Sequence, residues 1–436
     1  MKNFLLILIS LVLILSLFSC KKSDDTEKNE ENTQTTNDNI KPVGPSIYDP
    51  NAAHGTKKLY RDNIFDSIIY RSITEDLRVM YAEFKDLEKY SMLCFDPTCS
   101  HGDNSSCIAK FDNYVDNDKG FAYPSYIVAD GYDLAERPVL YICYKLSPTY
   151  LVNDVLVPRE PDYVIERFDF TESKRSVIIP DIKEDVKEFV TYGDKLIYIA
   201  GKSIYSVSKS GGTPTEIKYP DSETISIINI YDDKIYFSVD ESVVYTCGTS
   251  LENPEKIIEL TSLTGRVDDA VFKYITGGYL YFIGDYELFE KPVEGSEIAL
   301  QYAVCSCYRL PLDDLGKTPE KIVEGMAAYV PTFYRFSDNR LYYQISTAQN
   351  YEYSPSIWNP SDGKISVIDL GTLETKLIAE NTGMMNMIML AFDDYIIFSG
   401  SAYDFSNNMA FYNGVPSSVI AYSDGSGCRI LGPRMW

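Results

Sequence analysis

Side chains able to ligate a metal, form a disulfide or attack a substrate are few, and one stretch gathers several of them. Cys94, Cys99, His101 and Cys107 lie together in CFDPTCSHGDNSSC. Three thiolates and an imidazole form a donor set for tetrahedral zinc. The spacing C-x4-C-x-H-x5-C is not one of the common structural patterns. A local disulfide such as Cys99–Cys107 is therefore the leading expectation, with metal ligation and plain thiols as the alternatives, and no metal is assigned. Cys305 and Cys307 flank one serine, which puts both on one face of a strand, where each can simply pack. Only two histidines occur, His54 and His101. A Ser-His-Asp or Cys-His arrangement thus has almost no candidate for its base. Carboxylates such as Glu160, Asp285, Glu287 and Glu352 could work in pairs on a glycan. Among 64 acidic residues, however, nothing singles out a pair. Aromatic rings are the remaining candidates: Tyr286, Tyr351, Tyr353, Trp358, Tyr403 and Phe405, interleaved with Asn350, Asn359, Asn407 and Asn408. Rings beside amides suit stacking on sugars or anchoring a protein partner. The plainer alternative is that they roof the domain and hold its loops down.

These residues must be carried by a scaffold, and internal repetition indicates which. A unit of strand, turn and strand ending in an aliphatic run occurs at residues 78–94, 163–179, 203–217, 243–258, 305–323, 363–379 and 417–431. A second unit precedes most of these. Its tight turns are Gly193-Asp194, Asp232-Asp233, Gly277-Gly278, Asp338-Asn339 and Asp393-Asp394, and each launches an apolar strand such as Ile235-Tyr236-Phe237. Two-residue hairpin turns need positive φ, which Gly, Asp and Asn tolerate, so these acidic pairs read as turn chemistry rather than calcium ligands. Helical periodicity is nowhere sustained. Two hairpins per unit, recurring about every 40–45 residues, predict four-stranded blades. The expected fold is all-β: a β-propeller, with seven blades counted and six or eight as alternatives.

The phrases YDDKIYF (Tyr231–Phe237) and SIYSVSKSGGTPTEI recur in pattern across residues 55–431. In them the chain resembles bacterial surface propellers of unknown function related to the YWTD repeats of low-density-lipoprotein receptors. No YWTD tetrapeptide is present, and seven blades depart from the receptor count of six, so no receptor partner is carried over. The Trp-Asp repeats and the sialidase boxes are absent. Two tryptophans are also too few for the docking motifs of quinoprotein dehydrogenases.

With blade strands numbered one to four, long insertions fall at 95–123 between blades and at 144–161, 284–302, 346–361 and 400–416 between second and third strands. In an up-and-down blade those two connection types emerge at the same end. Elaboration of one end is the expected mark of a binding surface on a repeat scaffold.

The N-terminus supplies the setting. Lys2, an apolar run from Phe4 to Leu17, and Leu17-Phe18-Ser19-Cys20 match a secretory signal better than a spanning helix. The end of the run resembles the bacterial lipobox. That resemblance implies a diacylglycerol thioether on Cys20 and removal of residues 1–19. Residues 20–41 have almost no apolar side chain and read as a flexible tether, with the propeller domain at 42–436. A net charge of −24 argues against nucleic-acid binding, which needs cations to displace counterions from phosphates. The expectation is a lipid-anchored, extracytoplasmic binding module without a cofactor, for a protein partner or an envelope glycan. Its alternatives are a secreted carbohydrate-active enzyme on the same scaffold and a structural subunit of an envelope complex.

Overall fold

Short runs of Ile, Val, Tyr and Phe, broken every five to ten residues by turn formers, can bury apolar faces only by pairing with their sequence neighbours. The computed structural model shows that pairing directly. It describes residues 62–433 with breaks, chiefly at 84–90, 101–106, 110–121, 131–138, 293–298, 347–363 and 400–410. The described residues belong to one compact unit, Val43–Trp436.

The first sheet runs Asp62–Phe65, Ile68–Ile73, Arg78–Glu83, Ser91–Met92 in simple order. The second is Ala122–Asp130, Val139–Leu146, Tyr163–Asp169, Lys174–Ile182, and the third Val186–Tyr192, Lys195–Ala200, Ser203–Ser208, Thr215–Lys218. The fourth is Ile225–Tyr231, Lys234–Val239, Val243–Gly248, Glu255–Glu259. The fifth holds the longest strands, Tyr279–Pro292 and Ala299–Pro311, between Val271–Thr276 and Glu320–Ala327. The sixth is Tyr334–Phe336, Arg340–Tyr343, Ile365–Asp369, Thr375–Ala379. The last is Met387–Ala391, Tyr395–Ser399, Val415–Tyr422, Cys428–Pro433, with Phe411–Tyr412 as a short fifth strand. All pairings are antiparallel. Each repeat read in the sequence falls on the third and fourth strands of one sheet. Among the described residues the only α-helix is the single turn Thr261–Thr264, and no helix is long and apolar enough to cross a membrane.

The turn chemistry expected of the five pairs holds in full at two of them, while Gly193 takes φ 51° without Asp194, and neither Asp393 nor Asp394 takes positive φ. Asp232 and Asp233 sit at φ 50° and 57°, closing the hairpin in which Tyr231 faces Lys234. Gly277 and Gly278 do the same at 57° and 78° between Thr276 and Tyr279.

What makes the sheets a propeller is how they meet. Each apolar cluster lies between consecutive sheets, not within one. Phe189, Leu196 and Tyr198 of the third sheet pack on Tyr141, Cys143 and Ile165 of the second. Ile197, Ile199 and Ile204 on the third sheet's other face meet Ile235 and Phe237 of the fourth. Fourth and fifth, fifth and sixth, and sixth and seventh sheets repeat the contact. Middle sheets are thus apolar on both faces, and each fully buried Phe or Ile contributes about 1.5–3 kcal/mol. First strands lie beside one another in succession: Asp62–Phe65, Ala122–Asp130, Val186–Tyr192, Ile225–Tyr231, Val271–Thr276. The fold is an all-β propeller.

Five of the seven first strands share a second feature. Their pairing with the second strand slips between Pro124 and Tyr126, Val186 and Glu188, Ser226 and Asn229, Phe272 and Tyr274, and Ile388 and Leu390. Such bulges sharpen twist and re-aim a side chain.

Candidate functional site

Up-and-down order within each sheet puts second-to-third connections and sheet-to-sheet connections at one end. The elaborations gather at that end, and two of them prove to be more strand. Of residues 284–302, expected as a loop, those up to Pro292 and from Ala299 on continue the strands of the fifth sheet, and 293–298 lie outside the described residues. That sheet's second and third strands run on as a paired ribbon from Glu287 opposite Val304 to Pro292 opposite Ala299. The sequence hid this because Gly284 and Asp285 interrupt the apolar alternation; the register slips there, and Asp285 takes φ 53°. The insertion at 144–161 likewise contains a small hairpin, Thr149–Val152 against Val155–Pro158.

On the ribbon of the fifth sheet Tyr286 and Leu288 are large hydrophobic side chains left in solvent, 43% and 52% exposed. Few others among the described residues are so exposed. Tyr286 is the one proposed binding ring within the described residues. Tyr351, Tyr353, Trp358, Tyr403 and Phe405 lie outside them, as does Glu352. Asp285 is engaged structurally: it accepts a hydrogen bond from Tyr308 Oη and pairs with Lys321 Nζ at 2.9 Å. The hydrogen-bonded Asp285 carboxylate raises the Lys321 pKa.

The cysteine stretch lies at the same end, between the last strand of the first sheet and the first of the second. Cys94 N–H donates to Met92 O at 2.9 Å as the chain leaves the sheet. An Asx turn follows: Asp96 Oδ1 accepts from Thr98 N–H at 2.8 Å and from its hydroxyl at 2.7 Å, and Cys99 N–H returns to Asp96 O at 3.1 Å. This folds Cys94 and Cys99 toward each other. Cys107 is buried, flanked by buried Ile108 and Ala109, with its Sγ 3.7 Å from the Met92 sulfur. The three sulfurs lie within 4.8 Å of one another. They are thiols, with no disulfide between them. Burial pushes the Cys107 thiol up to about 12 and raises that of Cys94, against the lowering effect of amides from Ala109 and Asp96. As a bare thiol Cys107 is a poor nucleophile at neutral pH. His101 lies outside the described residues. Cys305 and Cys307 are both fully buried in the contact between fifth and sixth sheets, where each packs as a small apolar group.

Sequence reasoning missed one pair of cations on the first strands. Lys273 is the extra residue in the bulge between Phe272 and Tyr274, and Arg335 occupies the next sheet's first strand. Lys273 Nζ sits 5.9 Å from the Tyr334 ring centre, and Arg335 Nε donates to Ile388 O at 3.2 Å. Desolvation lowers the pKa of both. Neither forms an ion pair among the described residues. The signal available in the sequence was only a basic residue inside an apolar first strand, which also fits a solvent-facing position.

No family model matches the sequence, and no curated protein matches it. Among solved structures, the oligogalacturonate lyase of Vibrio parahaemolyticus is similar at 12% identity and TM-score 0.33, over 84% of this chain and 78% of that one. The Neurospora crassa Pan2 WD40 domain is similar at 12% identity and TM-score 0.34, over 69% and 86%. A chain of a nidogen/laminin complex is similar at 10% identity and TM-score 0.30, over 54% and 73%.

Proposed function

We propose that this chain is a lipid-anchored, extracytoplasmic recognition module that holds a protein partner at the elaborated end of its propeller. The observation that carries the reading is the ribbon of the fifth sheet. It adds ordered strand beyond what the blade needs for its own packing and leaves Tyr286 and Leu288 in water. Exposed aromatic and aliphatic side chains on a rigid support are the usual anchors of protein contacts, because their burial on binding costs little ordering entropy. The same reading takes the ring to have seven blades, residues 1–19 to be a signal peptide, Cys20 to carry the lipid, and residues 20–41 to be a tether. Two acyl chains give stable attachment, since each buried methylene contributes about 0.8 kcal/mol.

One fractionation experiment tests both halves. Intact cells are crosslinked, lysed and separated into membrane and soluble fractions, for the wild-type chain and for Cys20→Ser. The expected result is a wild-type chain in membranes together with a defined crosslinked protein, and a Cys20→Ser chain that leaves the membrane fraction or stays unprocessed. A Cys20→Ser chain processed and retained like wild type contradicts the anchor. A crosslinked glycan in place of protein contradicts the choice of partner.

A further inference from the structure

We propose that Cys94, Cys99 and Cys107 bind one zinc ion that clamps the connection between the first and second sheets. A disulfide joins two sulfurs at about 2 Å and leaves a third displaced. Here all three sulfurs lie within 4.8 Å of one another. Zinc–thiolate bonds of about 2.3 Å place tetrahedral ligands roughly 3.8 Å apart, a contraction that small side-chain rotations supply.

The chain around them holds the three sulfurs in one place. The Asx turn at Asp96 fixes the approach of Cys99, and the Met92 thioether adds a soft neighbour beside Cys107. Soft sulfur donors select zinc over hard cations, and zinc brings no redox chemistry of its own.

On loading, Zn2+ replaces three thiol protons, which pass to solvent. The three thiolates and the ion leave the centre with one net negative charge, and the fourth position takes a water molecule or another donor. The clamp closes the chain from Cys94 to Cys107, and so orders one of the connections at the elaborated end. Binding energy at such a site appears as folding energy of the segment it ties.

The test uses the chain extracted from its own membranes in detergent, under reducing conditions and without a polyhistidine tag. Zinc is quantified by plasma mass spectrometry after equilibration and removal of excess ion. One zinc per chain is expected, falling at least tenfold in Cys94→Ser and in Cys107→Ser. Substitution of cobalt for zinc in the wild type is expected to give the intense sulfur-to-metal charge-transfer absorption of a thiolate site. Because Cys107 is buried and its variant can misfold, the wild-type chain is also alkylated with and without zinc. Zinc is expected to protect Cys94, Cys99 and Cys107 together, and chelation to expose them together. A wild-type chain that retains no zinc, or protection that does not include all three, overturns the proposal. So does a disulfide between any two of them in the chain as isolated.

Discussion

Asn229 shows how a single side chain fixes one sheet to the next. It lies where the fourth sheet's first strand slips register, 2% exposed, and its Oδ1 accepts the Ile275 amide of the fifth sheet at 2.7 Å. Asn229→Ala is expected to leave that buried donor unpaired and lower stability by about 1–3 kcal/mol, read as a lower urea midpoint with unchanged slope. The tyrosines set the pH response. Burial pushes Tyr281, Tyr205 and Tyr219 up to about 12. A group whose pKa is higher folded than unfolded contributes stability that is complete below pH about 10 and lost as pH rises through the folded value. Buried thiols such as Cys107, Cys247 and Cys305, also raised to about 12, start the loss near their unfolded value of about 8.5, so urea midpoints are expected to begin falling between pH 8 and 9 and to fall more steeply between about pH 10 and 12. A midpoint that holds to pH 12 contradicts this burial. Neither effect was legible in sequence: Asn229 reads as an ordinary polar residue in an apolar strand, and the abundance of tyrosine does not say which rings are enclosed.

At the scale of elements the strands and their turns were legible, because alternation and positive-φ residues are local signals. The ribbon of the fifth sheet was not. Its outer part, YELFEKP, is half charged, and its pairing with residues 299–304 lies across a segment of little periodicity. The bulges on first strands were invisible for a related reason, since a one-residue slip leaves composition unchanged. The sixth sheet supplies a prediction. Ile345 bridges Met326 and Ser346 N–H donates to Gly325 O at 2.8 Å, so pairing with the fifth sheet reaches Ser346. Residues 347–361 lie between that last contact and the strand Ile365–Asp369. Deleting 347–361 is expected to preserve one cooperative thermal transition. Deleting Ser346 as well is expected to cost about 1–3 kcal/mol more, through the exposed or unpaired Gly325 carbonyl. Loss of cooperativity in the shorter deletion contradicts the assignment of this segment as an insertion outside the sheets.

For the molecule as a whole, consecutive sheets facing one another across apolar clusters separate two kinds of surface. One end carries tight turns such as Asp232-Asp233, with the longer connection at 131–138 as the exception. The other carries the ribbon, the small hairpin and the cysteine stretch. The sequence showed the one-sidedness through insertion lengths alone, but it placed most of its candidate rings at residues outside those described. Tyr286 is the exception, and Leu288 beside it was not singled out. The claim that recognition belongs to the elaborated end is tested most directly in living cells, with a photo-crosslinking amino acid at position 288 or, at the opposite end, at position 233. The account predicts one dominant covalent protein adduct from 288 and none of that mass from 233. Equal adducts from both positions, or an adduct from 233 alone, would contradict it.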